Sequence, residues 1–444
     1  MQQQREARRR RRKRNQILAY ATVLVLIALM AVGIVIGVKY LTQWQEQRQQ
    51  EEQRQQESMQ AQLEQQLESA EESIEAPPEK PEVTPEPIPE LTPEEKLDGI
   101  INTMIEVMPL EDKVSGLFFV TPESITDVNA AVRAGDGTRE ALIRYAVGGI
   151  VYDKKNIQNA EQFGEMLGNT ELYSKYPIFL GIEEEGGSVS PLASAGLIDK
   201  QPSAADIGEG GDAGAAYQAG VSMGAGMASY GINVDFAPVA DLANVDGSVM
   251  ASRAYGNDAM AVTAYVNNMA NGLREQGVVA CVKHFPCGGS TAADTHEGLA
   301  VSDRSAEDLR SQELTIYQSS IDSGIQMIMV GHTAVPSLTG DNTPASLSSI
   351  VVTDLLRNEM GYGGVIITDA MDMKAISEYY GSGQAAVLAL KAGCDMILMP
   401  ENFEEAYAAV LAAVQDGTIS EERINDALRR IYRIKCADRL NQVE

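Results

Sequence analysis

From Leu97 onward, short unbroken apolar runs alternate with longer stretches whose apolar residues recur at helical spacing. Eight such runs stand out: VSGLFFV from 114, VGGIVYD from 147, PIFLGIE from 177 and INVDFAPVAD from 232, then VVACVKHFP from 278, IQMIMVGH from 325, GGVIITDA from 363 and GCDMILMP from 393. A run without polar alternation is the signature of a strand buried on both faces. Amphipathic segments lie between the runs: Ala213–Tyr230, Ala261–Glu275 and Ala306–Ser323, with shorter ones at Ala134–Ala146 and Gln384–Ala392. Strand and helix in strict alternation mean parallel strands joined by right-handed crossovers. Eight units in about 340 residues predict an α/β fold, a (β/α)8 TIM-type barrel, which needs ~250 residues and tolerates insertions. The competing topology is a doubly wound open sheet, but no G-x-G-x-x-G follows the first run to bind a dinucleotide phosphate.

Ahead of the barrel the pattern changes completely. Residues Arg5 to Arg14 hold eight Lys/Arg and one Glu, and Ile17 to Val38 then run 22 residues without a charge. That run is long enough to cross ~30 Å of hydrocarbon as a helix, and longer than the ~7–15 apolar residues of a signal peptide. It reads as an uncleaved, single-pass anchor. The basic cluster keeps the N-terminus in the cytoplasm and puts the rest outside the cell membrane. Residues 42–75 are Gln/Glu-rich, with too short an apolar stripe for a coiled coil, and 76–90 (APPEKPEVTPEPIPE) form a stiff acidic Pro-rich spacer. The expected divisions are a tail over 1–16, an anchor over 17–38, a stalk and linker over 39–93 and the barrel over 94–444.

Polar residues with chemical potential gather at one end of the runs. Strand three ends in Glu183-Glu184-Glu185-Gly186-Gly187, strand four in Asp241, strand five in Lys283-His284, strand six in His332 and strand seven in Asp369. The C-terminal ends of barrel strands are where active sites form. The chain has three His, and each follows a strand-like run: His284, His296 and His332. Asp294 lies two residues before His296. A carboxylate so placed fixes the tautomer of an imidazole and lets its other nitrogen shuttle protons. Asp369 sits at the tip of a buried run, a costly place for a carboxylate unless function retains it. Asp372, nearby, reads as a helix-start residue.

The stretch VVACVKHFPCGGSTAADTHEGLAVSDR, residues 278–304, resembles the family 3 glycoside hydrolases. Within them it is most similar to the bacterial β-N-acetylglucosaminidase (β-N-acetylhexosaminidase) branch, whose pattern reads approximately KHFPGHGDTxxDSH. The resemblance runs from Leu97 to about Leu440. It implies a retaining exo-glycosidase that hydrolyses terminal β-linked N-acetylglucosamine through a covalent glycosyl-Asp intermediate. Asp369, in GVIITDAMDM, matches the nucleophile; His296 with Asp294 matches the acid/base dyad. Lys283 and His284 match sugar-hydroxyl ligands, Arg253 the arginine after strand four, and Glu183 the hydroxyl-clamping Asp of DQEGGRVxR. His332 looks like a residue that supports the substrate contacts from behind, or one at the barrel rim. Two departures stand out. Ser188 and Pro191 replace both arginines of DQEGGRVxR, and Cys287-Gly288 replace Gly-His of HFPGHG, so the sugar subsite differs more than the chemistry.

Composition narrows the partners. A net charge of −28 argues against nucleic acid and points to a partner that is neither strongly anionic nor bound by charge; the resemblance implies an amino-sugar glycan, such as one derived from the cell wall. The membrane is the other expected partner, through the N-terminal helix; the sequence does not specify an oligomeric state. No metal or cofactor is expected, since H-x-H and H-E-x-x-H are missing. The four Cys form no C-x-x-C; Cys281 and Cys394 read as core, and an extracellular disulfide is permitted. Two alternatives stay open: a phosphorolytic variant, because neutral imidazole does not repel phosphate, and a glycan-binding or scaffold protein with a weakened barrel site. A β-glucosidase of the wider family would need a further domain beyond the helix expected at Ser420–Leu440.

Overall fold

The computed structural model describes residues 91–437. The expected tail, anchor and most of the stalk and linker lie outside the described residues. Among those described, no helix is long and apolar enough to cross a membrane. The barrel unit is opened by the helix Pro93–Val107, whose start is fixed by a capping box: the Glu95 N–H donates to the Thr92 hydroxyl at 3.2 Å and the Thr92 N–H to the Glu95 carboxylate at 2.8 Å.

All eight apolar runs contain a strand: β1 (Phe118–Val120), β2 (Gly149–Val151), β3 (Phe179–Ile182), β4 (Val234–Asp235), β5 (Val279–Phe285), β6 (Met327–Val330), β7 (Val365–Thr368) and β8 (Ile397–Leu398). They pair in parallel in the order β7-β6-β5-β4-β3-β2-β1-β8. A parallel bridge between Ile367 and Met396 brings β7 to β8, so the sheet is a nearly closed eight-stranded α/β barrel and not an open, doubly wound sheet. Every residue of β3, β5, β6 and β7 is buried, which is why these runs show no alternation.

The barrel interior is filled around Phe119. Its ring stacks on Phe179 at 6.1 Å and meets Phe236 edge-on at 5.1 Å. Gly149 and Gly181 make room for it: a Cβ on either would come within 2.7 and 2.6 Å of the ring. At the outer wall, buried Asp395 accepts from Arg357 at 2.7 Å and from Arg430 at 2.9 Å, tying the last helix, Glu421–Lys435, to β8. The helix expected over 306–323 is two helices, Ala306–Ser311 and Glu313–Asp322, because Gln312 leaves helical geometry (φ −123°, ψ −80°). All four cysteines are buried free thiols, so the permitted disulfide does not form; Cys281 and Cys394 are core residues as expected.

Candidate active site

The strand ends converge on a cavity of about 410 Å³, a size in the ordinary range for a small-ligand site. Glu183, Arg253, His284, Asp294, His296 and Asp369 all line it, so six of the seven residues expected at the site face one space. Lys283, the seventh, lies fully buried beneath it.

The floor is an ion-pair cluster. Arg253 donates both forks of its guanidinium to Glu185, at 2.8 and 2.6 Å, and one nitrogen also reaches Glu183 at 3.3 Å. The Lys283 ammonium bonds Glu185 at 2.6 Å and Glu183 as well. Two cations and two carboxylates thus balance around the buried Lys283 and Glu185, the condition under which buried charge is tolerated. Burial alone would raise the Glu185 carboxyl, but Lys283 and Arg253 hold it far below the carboxylate range. Burial would likewise depress Lys283, and Glu183 and Glu185 hold it well above its ordinary value. Both Glu183 bonds end on Oε1, and the side chain keeps 45% of its surface exposed, so Oε2 can accept a ligand hydroxyl.

His284 comes from the stretch where β5 loses register with β6, between Val282 and Phe285, and the Lys283–His284 peptide is cis. Its ring Nδ1 lies 2.7 Å from Asp241 Oδ2, a carboxylate that can only accept once ionised, so Nδ1 carries the proton and Nε2 is left for the cavity. Asp241 ended the fourth run in the sequence much as Glu183 ended the third. That position was a usable signal, though nothing local revealed its partner.

Asp369, half-buried just past β7, accepts the Ala370 N–H on Oδ1 at 2.8 Å. Burial would raise its carboxyl; the charges that His284 and His332 can carry, the Ala370 N–H and Lys283 hold it below the usual range. His332 is more than a rim residue. It is fully buried, and burial keeps it neutral by lowering its pKa. Its Nε2–H donates to the Ala370 carbonyl at 2.9 Å while Nδ1 takes the Ser346 hydroxyl proton at 2.8 Å, which braces the loop that carries Asp369. Asp372 does not start a helix. The next helix, Lys374–Ser377, begins after Met373 without a side-chain cap, and Asp372 is exposed at the cavity edge.

Asp294 Oδ1 accepts both the His296 backbone N–H, at 2.9 Å, and the ring Nδ1–H, at 2.8 Å. One oxygen therefore fixes loop and ring together, and Nε2 is free to exchange a proton. Burial would raise Asp294; the His296 backbone and ring, with Arg253, hold it below its ordinary value. The dyad loop is tied to the β7 loop: the Ala375 N–H donates to the Thr295 carbonyl at 3.0 Å, and Lys374 bonds Glu297 at 3.0 Å. His296 keeps 62% of its side chain exposed. Among the described residues, no three His, Cys, Asp or Glu side chains converge to hold a metal ion.

A parallel barrel whose mouth combines a charge-balanced cluster of carboxylates and cations, a second carboxylate and an oriented imidazole has the framework expected of a carbohydrate-active enzyme. The pattern of the Glycosyl hydrolase family 3 N terminal domain matches residues 110–434, and the chain belongs to glycosyl hydrolase family 3. Among similar proteins, a β-hexosaminidase of Nitrosomonas eutropha is 31% identical over 281 residues, covering 61% of this chain and 80% of that one. A β-hexosaminidase of Mycobacterium tuberculosis is 37% identical over 229 residues, covering 50% of this chain and 58% of the relative. The structure of a family 3 β-N-acetylglucosaminidase from a Paenibacillus species superposes with a TM-score of 0.71 at 34% identity, covering 76% of this chain and 64% of that one.

Proposed function

We propose that the chain is a retaining exo-β-N-acetylhexosaminidase that removes terminal β-linked N-acetylglucosamine from amino-sugar glycans, among them fragments of the cell wall. The observation that carries this reading is the tie between the two loops, which keeps the His296–Asp294 pair on the cavity that Asp369 also lines. Similarity to proteins named β-hexosaminidase supports the substrate class.

In this mechanism an Asp369 oxygen attacks the anomeric carbon while His296 Nε2–H gives its proton to the departing glycosidic oxygen. The C–O bond breaks, leaving a glycosyl ester on Asp369 and a neutral imidazole. Water then adds to the same carbon as His296 takes its proton, and the ester bond returns its electrons to Asp369. Asp294 keeps Nδ1 protonated through both steps. Glu183 and His284 hold the sugar hydroxyls, and Lys283 and Arg253 hold Glu183 in place. Phosphate can replace water in the second step without charge repulsion from the imidazole.

The full chain incubated with 4-nitrophenyl N-acetyl-β-D-glucosaminide is expected to release nitrophenolate and free sugar, and the same reaction in phosphate tests for the sugar 1-phosphate. A folded chain that releases neither would leave the glycan-binding alternative. Residues 17–38 serve in this proposal as a single-pass anchor with the barrel outside the cell; protease added to intact protoplasts should then remove the barrel, and a protected barrel would reverse the orientation.

A further inference from the structure

A second cavity, of about 430 Å³, adjoins the first on the β1–β3 side of the barrel mouth. It is bounded by Thr121 after β1, the 152–156 loop after β2, residues 188–194 after β3 and Met399 after β8. The two spaces adjoin: Val151, Glu183, Val189 and Met399 line both, so a ligand that passes Glu183 would reach from one into the other. Each is within the roughly 300–1,000 Å³ that holds a whole small ligand.

Its direction follows from the barrel order. Asp369 leaves β7, and the His296 loop leaves β5 and is bonded to the β7 loop. The strands β1–β3 lie across the ring from these, next to β8 and β4. The proton donor marks the side on which the leaving group departs. The far wall, beyond Glu183, therefore receives whatever is attached to the non-reducing end of the sugar being transferred.

Its lining specifies the occupant. Asp153 and Lys154 supply one acceptor and one donor of opposite charge, and Lys155 is paired with Glu123 at 3.5 Å. Ser188 and Ser194 add hydroxyls, while Val151 and Val189 form an apolar floor. Neither charge sign dominates, and polar edges over an apolar floor match a neutral pyranose, whose hydroxyls point outward and whose C–H faces are apolar. Ser188 and Pro191, which stand where the family pattern carries arginine, both line the cavity.

We propose that this cavity is a second sugar subsite, which seats a β-linked N-acetylhexosamine ring attached to the non-reducing end of the reacting sugar and lets the enzyme release a disaccharide in one step. The proposal rests on the glycosidase reading above. It is tested with the full chain and two substrates, the 4-nitrophenyl β-glycosides of N-acetylglucosamine and of N,N′-diacetylchitobiose. On the second substrate, nitrophenolate and intact disaccharide are expected together from the earliest times. Free N-acetylglucosamine first, followed by nitrophenolate after a lag, would overturn the subsite while leaving the exo-glycosidase intact. No reaction with either substrate would overturn the glycosidase reading itself, and the subsite with it. Ser194→Trp, at an exposed position on the wall of the second cavity alone, is expected to cut direct disaccharide release by about tenfold or more. The same variant should hydrolyse the monosaccharide glycoside at the wild-type rate, which also reports that it has folded. Unchanged disaccharide release by a folded Ser194→Trp would place the second ring elsewhere.

Discussion

Glu184 offers a quantitative test of how the barrel mouth carries its charge. It is buried between the clamp residues, with Oε2 accepting the Leu192 N–H at 2.8 Å while Oε1 has no hydrogen-bond partner. Its own N–H donates to Asp235, another buried carboxyl with one oxygen unpaired. Burial pushes Glu184 up from its ordinary 4.5 to about 7, outweighing the Leu192 bond. A raised carboxyl adds stability that is fully present below its unfolded value and is lost as pH rises through its folded value. The full rise is worth on the order of 3 kcal/mol. Glu184→Gln keeps an acceptor for Leu192 but cannot ionise, and glutamine is the residue of the family pattern at this position. Urea unfolding should therefore show variant and wild type within about 1 kcal/mol of each other near pH 5, and the variant more stable by about 3 kcal/mol near pH 8.5. Stability curves that stay parallel between those two values would refute the assignment of a neutral, buried Glu184.

Asp369→Asn should abolish turnover, because an amide is a far weaker nucleophile, and a fluorinated glycosyl donor should label Asp369 in the wild type; labelled peptide carrying the sugar on exposed Asp372 instead would move the nucleophile. His296→Ala should slow substrates with sugar leaving groups by about 10²–10⁴-fold and nitrophenyl glycosides far less, with azide restoring turnover of the latter; equal losses on both would reduce His296 to a positioning residue. Asp294→Asn keeps an oxygen for both His296 N–H groups and loses only an ion pair to a largely exposed ring, so it should cost about fivefold or less, and Asp294→Ala distinctly more. Lys283→Met leaves two carboxylates facing Arg253 alone and should lower unfolding stability by about 3–5 kcal/mol, with Glu185→Gln added to it recovering part of the loss; a single variant as stable as wild type would contradict the charge-balanced clamp.

What was legible in the sequence was whatever is written locally. Unbroken apolar runs located all eight strands, because strands buried on both faces cannot alternate. Asp294 and His296 were readable as a pair because the bond spans two residues. The clamp was not readable as a clamp. Glu183 and Glu185 meet Lys283 and Arg253 across about 70 to 100 residues of chain, and only barrel closure sets which carboxylate takes which cation. For that reason the sequence alone did not show Glu185 as an anchor held by two cations. His332 and Asp241 were visible as strand-end residues, but their partners, the Ala370 carbonyl just past β7 and the His284 ring on β5, lie far away in sequence. Asp372 was misjudged because a helix-start residue is defined by the backbone one position later, where Met373 takes the cap.

The mouth of the barrel thus separates two jobs physically. The dyad loop and the Asp369 loop are bonded to each other and braced from below by His332, with no contact through Ser188 or Pro191. The clamp depends on Glu185, which is held by Arg253 and Lys283 and takes nothing from the two replaced positions. On the proposed reading, the arginine replacements leave the Asp369 and His296 loops where they are; the carboxylate cluster lies nearer to the replaced positions, because the Glu185 N–H donates to the Val189 carbonyl at 2.9 Å. The two replacements lie on the wall beyond Glu183, where Ser188 and Pro191 both line the second cavity. On the glycosidase reading, selection on that wall would alter what is attached to the sugar, while the bonds that join the Asp369 and His296 loops lie elsewhere on the barrel mouth.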